Sequence, residues 1–196
     1  MLVDLTHYQR NLPHRLPPGE NLFVTFRLAD SLPRIVLEKL RAEWDAPADP
    51  EHTYARQRRY FDRFDAVLDK GEAGPLWLQE TAVASIVKDA LHFYDDKNYV
   101  LVCYCVMPNH VHLVVTLPDN APPLTQTLQS IKSYTAAKAN KLLNRTGQFW
   151  QRESYDHIVR DAEEMKRVIS YVLANPVKAG LVTDWQLWSH TYWHEL

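Results

Sequence analysis

The chain has 196 residues, of which 46% are hydrophobic and 23% charged, and its formal net charge is −2. That length fits one domain with room for an appendage, and the composition excludes global disorder. A near-zero net charge also argues against a nucleic-acid partner, but the total hides an asymmetry. Residues 38–97 carry nine Lys/Arg against thirteen Asp/Glu, whereas residues 121–180 carry nine against five. An acidic stretch and a basic stretch cancel in the sum, so the charge argument fails for the second half. A surplus of that size is often only a solvated face, and it does not by itself argue for nucleic acid.

In chain order, Leu12 to Gly19 is a Pro-rich lead-in, and Asn21 to Leu28 (NLFVTFRL) predicts a first strand. A helix is expected from Pro33 to about Trp44, with Ile35, Val36, Leu40 and Trp44 near helical spacing. After a Pro/Asp/Ala loop at Ala46 to Pro50, a second helix is predicted over Tyr54 to Leu68, with Tyr60, Phe61, Phe64, Val67 and Leu68 as its apolar residues. A third helix is expected from Trp77 to Phe93. Tyr99 to Val106 (YVLVCYCV) is apolar on both faces and suits a central strand. Pro108-Asn109 marks a tight turn into a strand from His110 to Thr116, which makes an antiparallel hairpin. A helix over Leu124 to Leu143, a strand over Ser154 to Arg160 and a helix from Ala162 to about Asn175 follow. Asp161 caps the last helix, and Pro176 and Gly180 stop it. Cys103 and Cys105 are expected as buried, reduced thiols. No apolar run reaches the ~18 residues of a membrane span, and Met1 to Pro18 has no apolar core of a signal peptide. A cytoplasmic protein without a membrane partner is therefore expected.

This order predicts an α+β fold, a ferredoxin-like antiparallel sheet with packed helices. A single domain over 1–196 is expected. Its core covers about 21–28 and 94–180, with a helical insertion over about 31–93 and a Trp-rich tail over 181–196. On the strand after the turn, His110, His112 and Val114 share one face, and Val111, Leu113 and Val115 share the other. With the apolar face in the core, the two histidines stand on the open face about 7 Å apart at the backbone, close enough to converge on one ion. An isolated His-x-His is a weak signal, since two ordinary half-exposed histidines give the same pattern.

The last helix adds the second half of the constellation. At about 100° per residue, Glu164, Arg167, Tyr171 and Asn175 form a polar stripe beside the apolar stripe of Met165, Val168, Ile169, Val172 and Leu173. Two histidines with an amide oxygen make a mixed N/O site with open positions, which suits Mg²⁺ or Mn²⁺ completed by phosphate oxygens. A tyrosine beside that ion can attack a phosphodiester.

These residues carry a family resemblance. Met107-Pro108-Asn109-His110-Val111-His112 resembles the histidine–hydrophobic–histidine (HUH) motif of single-tyrosine transposases. Gly147 to His157 (GQFWQRESYDH) and Tyr171 to Gly180 (YVLANPVKAG) are similar to the REP-associated tyrosine transposases, and Phe23-Val24-Thr25-Phe26-Arg27 also fits. The resemblance spans about residues 21–182. It implies an HUH nuclease core that cuts single-stranded DNA near a REP-like hairpin, leaving a 5′-phosphotyrosine and a free 3′-OH. It assigns the nucleophile to Tyr171 and the metal pair to His110 and His112. Insertion-sequence relatives place Gln four residues after the tyrosine, where this chain has Asn175 as third ligand. A monomer or a homodimer is compatible with this pattern.

Around that centre, Arg27, Lys132, Lys138, Arg145, Arg152 and Lys178 are candidate phosphate contacts, and Trp150 is a candidate base-stacking residue, as is Phe149. A tryptophan between helix and strand is more often a core residue. His157 and Arg167 are possible accessory groups, His157 with a plain structural alternative. Tyr155 and Tyr134 are rival nucleophiles. Two other classes stay open. One is a non-catalytic hairpin or single-strand binding protein; the other is a structural zinc site drawing on Cys103 and Cys105.

Overall fold

The computed structural model describes residues 19–45 and 53–194. The Pro-rich lead-in before Gly19 and the Ala46–Pro50 loop lie outside the described residues. Strand β1 (Asn21–Leu28) is followed by α1 (Arg34–Asp45), α2 (Thr53–Lys70), a 3-10 turn at Trp77–Gln79 and α3 (Thr81–Phe93). Then come the hairpin β2 (Val100–Val106) and β3 (His110–Thr116), α4 (Leu124–Leu142), β4 (Trp150–Val159), α5 (Ala162–Lys178), a second 3-10 turn at Trp185–Leu187 and β5 (Thr191–Trp193). The strands form one antiparallel sheet in the order β4-β1-β3-β2-β5. This is the expected α+β, ferredoxin-like arrangement, with β1 and β3 at its centre.

Three boundaries differ from the sequence expectation. The third helix is split by the 3-10 turn. Strand β4 begins at Trp150 rather than Ser154 because Leu28 pairs with Trp150 past a register shift after Phe26. Helix α5 runs through Pro176 to Lys178. Pro176 has no amide to bond back to the Val172 carbonyl, so the last turn continues without that bond. Asp161 does cap α5: its carboxylate accepts from the Glu164 amide at 2.7 Å. The tail also finds a place. Thr191, Tyr192 and Trp193 pair with Cys105, Tyr104 and Cys103 and extend the sheet beyond β2.

Each face of the sheet is covered. On one side Val24, Phe26, Val111, Leu113 and Val115 pack with Val83, Val87 and Leu91 of α3 and Leu128 and Ile131 of α4. Helix α3 thus packs with α4 against the sheet, although it falls within the stretch expected as insertion. On the other side Phe23, Cys103, Cys105 and Val114 meet Leu40 of α1, Phe61, Phe64 and Leu68 of α2, and Val172 of α5. The histidine face is therefore not open. Helix α2 and the last helix α5 roof it, and His110 and His112 are both fully buried.

Candidate active site

The site is built first on β3. Strand alternation places His110 and His112 on one face, and their Nε2 atoms lie 3.0 Å apart. Each ring is held from behind. His112 Nδ1 meets Thr25 Oγ1 at 2.8 Å, and Thr25 lies directly across the β1–β3 ladder from His112. His110 Nδ1 meets Asn109 Oδ1 at 2.6 Å. The Asn109 amide nitrogen donates to the Leu68 carbonyl of α2 at 3.0 Å, which turns its oxygen toward the ring. At His110 the Asn109 oxygen accepts, which fixes the proton on Nδ1 and leaves Nε2 as a lone pair, the arrangement metal-binding histidines use. Burial, with the field of His112 added, pushes the His110 pKa down to about 3, so the ring is neutral near pH 7.

Helix α2 brings two carboxylates to the same place. Asp65 is 1% exposed on its side chain, and its Oδ1 lies 3.2 Å from His112 Nε2 and 3.8 Å from His110 Nε2. Asp69, one turn on, has Oδ1 3.9 Å from His110 Nε2. Among the described residues, Asp65, His110 and His112 form the group whose potential ligand atoms all lie within 4.8 Å of one another. Burial opposes charge on Asp65, but its contact with His112 and the hydrogen bond from the Tyr171 hydroxyl outweigh it and hold its carboxyl below the usual range. Asp69 shifts the other way: burial and the charge of Asp65 raise it against the opposing pull of Lys178.

Helix α5 supplies the third part. The Tyr171 hydroxyl donates to Asp65 Oδ2, and its ring lies 5.5 Å from that of His112. Phe23 and Phe61 pack edge-on to it at 6.0 and 5.9 Å. Burial, then the charge and hydrogen bond of Asp65, push the Tyr171 hydroxyl above the ordinary phenol range. Asn175, one turn later, is fully buried, and neither its Oδ1 nor its Nδ2 has a hydrogen-bond partner. Lys178 reaches back to Asp69 Oδ2 at 2.7 Å and Asp65 Oδ2 at 3.4 Å, while half of its side chain stays exposed. Burial alone would lower its pKa, but the two carboxylates raise it.

The residues present fit a divalent cation. Two imidazole Nε2 atoms, each with its Nδ1 held from behind, face a buried carboxylate oxygen, Asp65 Oδ1, that no group among the described residues other than these rings approaches as a donor. The cysteines do not join them. Both are free and buried; Cys105 Sγ contacts Met107 Sδ at 3.6 Å, and burial pushes its thiol up to about 12. A structural zinc site through Cys103 and Cys105 is not what the geometry builds.

The remaining candidates separate into three groups. Lys138, Arg152 and Arg167 are exposed. Arg145 stacks on Trp77 with its guanidinium 3.8 Å from the ring centroid and donates to Asn140 and Gln148. The last group is structural. Trp150 is 5% exposed; it packs on Phe26 and donates from Nε1 to Thr135 Oγ1 at 2.8 Å. It is a core residue, not a stacking platform, and Phe149 is buried beside it. Lys132 Nζ donates to the Gln151 and Arg152 carbonyls and to Ser154 Oγ, and burial pushes its pKa down to about 7. It clamps α4 to β4 rather than offering a free cation. Arg27 is buried, bonded to Ser31 Oγ and the Leu28 carbonyl, and burial lowers its pKa to about 10. His157 bonds to Glu164 at 3.0 Å. Tyr155 stacks on Phe61, and Tyr134 is exposed on α4.

Asp65, Asp69 and Asn109 were not anticipated from sequence. The signal for the first lay in the α2 pattern: Asp65 falls about 40° from Phe61 at 100° per residue, on the edge of the apolar stripe. For Asn109 the turn position gave an ordinary reason for the residue, which hid its second use.

Residues 77–175, from the first 3-10 turn to Asn175, match the family model described as Transposase IS200 like. A putative REP-associated tyrosine transposase of Haemophilus influenzae is 31% identical over 102 residues, covering 47% of this chain and 58% of the relative. A REP-associated tyrosine transposase of Escherichia coli is 26% identical over 100 residues, covering 50% and 57%. The chain thus matches less than two thirds of the length of these relatives. The structure of a REP-associated tyrosine transposase bound to a REP hairpin superposes with a TM-score of 0.56 at 16% identity, over 93% of this chain and 82% of that one. The family match covers half of the chain and contains the histidine pair, Tyr171 and Asn175: the chain belongs to the IS200-like transposases.

Proposed function

We propose that this protein is a divalent-metal-dependent single-strand DNA endonuclease and strand transferase that acts at hairpin DNA through a 5′-phosphotyrosine. The observation that carries this reading is the meeting of Tyr171 with the His110/His112 pair in one buried cluster. The names of the relatives support the transposase class and the REP hairpin as the DNA partner. His110, His112 and Asn175 would hold Mg²⁺ or Mn²⁺. The cation would polarise the scissile phosphate and offset the acidic field that keeps the proton on Tyr171.

Tyr171 supplies the nucleophile. Its hydroxyl proton already points at Asp65 Oδ2, which is the acceptor within reach when the oxygen attacks. The Tyr171 Oη–P bond forms and the P–O3′ bond breaks. The 3′ oxygen leaves with the electron pair and takes a proton to become the free 3′-OH. Attack of another 3′-OH on the phosphotyrosine reverses the step and joins the strands. Lys178 stands beside Tyr171 with its side chain half exposed, in position to meet a phosphate oxygen once it leaves Asp69. Exposed Arg152 and Lys138 extend positive charge from β4 and α4, and such contacts make DNA binding fall with salt. No helix among the described residues is long and apolar enough to cross a membrane. We take the working protein as a monomer or homodimer in the cytoplasm.

The test is incubation of the protein with a hairpin-bearing single-stranded oligonucleotide and Mg²⁺ or Mn²⁺. A denaturation-resistant protein–DNA adduct should form and should be absent with EDTA. Persistence of the adduct in Tyr171→Phe would sink the nucleophile assignment. Salt-sensitive hairpin binding without any cleavage would replace the enzyme by a binding protein.

A further inference from the structure

The structure assigns to Asp65 a role outside the family-matched segment: we infer that it is a protein ligand of the divalent ion, delivered by helix α2. The inference rests on the metal reading of the histidine pair. Asp65 lies before residues 77–175, the part of the chain that the family model covers.

The geometry makes the case in three steps. Asp65 Oδ1 lies 3.2 and 3.8 Å from the two Nε2 atoms that face each other, and no donor among the described residues besides these rings reaches it although the side chain is 1% exposed. A buried carboxylate oxygen left without a donor is costly unless something cationic meets it. The donor chemistry agrees. Two neutral imidazoles and an amide carry no charge, whereas Mg²⁺ and Mn²⁺ favour anionic oxygen. Adding one carboxylate to the two imidazoles and the Asn175 amide gives the set an anionic oxygen and still leaves positions for phosphate oxygens. Finally, the neighbouring acid does not compete. Asp69 is ion-paired with Lys178 at 2.7 Å and lies farther from the histidines.

Asp65 is anchored for this task. Phe61, Phe64 and Leu68 bury the same helix against the sheet, and Asn109 ties the Leu68 carbonyl to His110. One bridge thus couples the position of α2 to the orientation of a metal-binding ring. The second oxygen of Asp65 holds the Tyr171 hydroxyl. One side chain therefore connects the ion to the nucleophile.

The test is Mn²⁺ binding to the full chain without DNA, followed by calorimetry and by the Mn²⁺ electron paramagnetic resonance signal. Wild type should take up one Mn²⁺, His110→Ala and His112→Ala should lose it, and Asp65→Ala should weaken it at least tenfold. Asp65→Cys should reverse the preference, binding Cd²⁺ at least tenfold more tightly than Mn²⁺, because a thiolate is a soft ligand. A purely structural aspartate would give no such reversal. Asp65→Asn keeps the shape and provides the measurement should the alanine variant not fold; it too should bind Mn²⁺ more weakly. Asp65 variants that bind Mn²⁺ within threefold of wild type, while the histidine variants lose it, overturn the inference and leave the metal site standing. Absence of Mn²⁺ uptake by wild type, or uptake indifferent to the histidines, overturns both.

Discussion

Asn109→Ala isolates the contact that joins helix α2 to the histidine pair. The side chain is 1% exposed, and its amide makes two hydrogen bonds, to His110 Nδ1 at 2.6 Å and to the Leu68 carbonyl at 3.0 Å. The two losses are unequal. The Leu68 carbonyl keeps the Gly71 amide as a donor, so it forfeits only one net bond, about 0.5–1.5 kcal/mol. The His110 Nδ1–H is left buried and unpaired, which costs roughly 1–3 kcal/mol. The expected destabilisation is thus about 1.5–4.5 kcal/mol in urea unfolding, with no change in m-value. Loss of the tautomer lock should also weaken Mn²⁺ binding by roughly 10–100-fold. Asn109→Asp sharpens the test. It keeps an oxygen toward His110 but turns a second oxygen onto the Leu68 carbonyl, so it should destabilise the fold while retaining Mn²⁺ affinity better than alanine. An Asn109→Ala protein within about 0.5 kcal/mol of wild type and with unchanged Mn²⁺ affinity would refute the reasoning, because surface substitutions do no more than that.

Three further outcomes follow from the same structure. The His110 pKa, pushed down to about 3 by burial, lies below its unfolded value, so the unfolded chain binds more protons between about pH 6.5 and 3. Stability is therefore fully present above pH 6.5 and falls as pH drops, by up to ~1.4 kcal/mol per pH unit; unfolding titrations at pH 7.5 and 5 measure it, and a flat profile would contradict the burial assignment. Trp150→Phe removes the bond to Thr135 and part of the packing on Phe26; it should cost about 1–3 kcal/mol while hairpin affinity of the folded protein stays constant, and a selective loss of DNA binding would return Trp150 to the interface. Gly74→Ala should lower the melting temperature sharply, because a Cβ there would lie 2.2 Å from the Asp30 carbonyl oxygen and φ is +71°; an unchanged melting temperature would show that this turn relaxes freely.

The residues that could be read from sequence are those whose role follows from local periodicity. Alternation along β3 put His110 and His112 on one face and Val111, Leu113 and Val115 on the other, and both assignments agree with the packing. Helical phase separated Tyr171 and Asn175 from the apolar stripe of α5, and the Asp161 cap was visible in the residue before the helix. Turn signals and strand patterns sufficed for the α+β order and for the hairpin.

What sequence did not determine is what lies across a gap in the chain. The histidine face looked open because nothing local says that a helix 45 residues earlier will return to cover it. Only the tertiary structure brings Asp65 of α2 to His112, Tyr171 and Lys178, contacts at separations up to 113 residues. Burial is likewise a property of the assembled layers. It made Trp150 and Lys132 structural, though their residue types are those of a DNA contact. The opposite charges of the two halves meet where Lys178 pairs with Asp69 and Asp65. Local pattern determines which way a side chain points from its own element, because that depends on backbone geometry within a few residues. What it points at depends on packing between distant elements, and that decides whether a histidine, an aspartate or a tyrosine can act together.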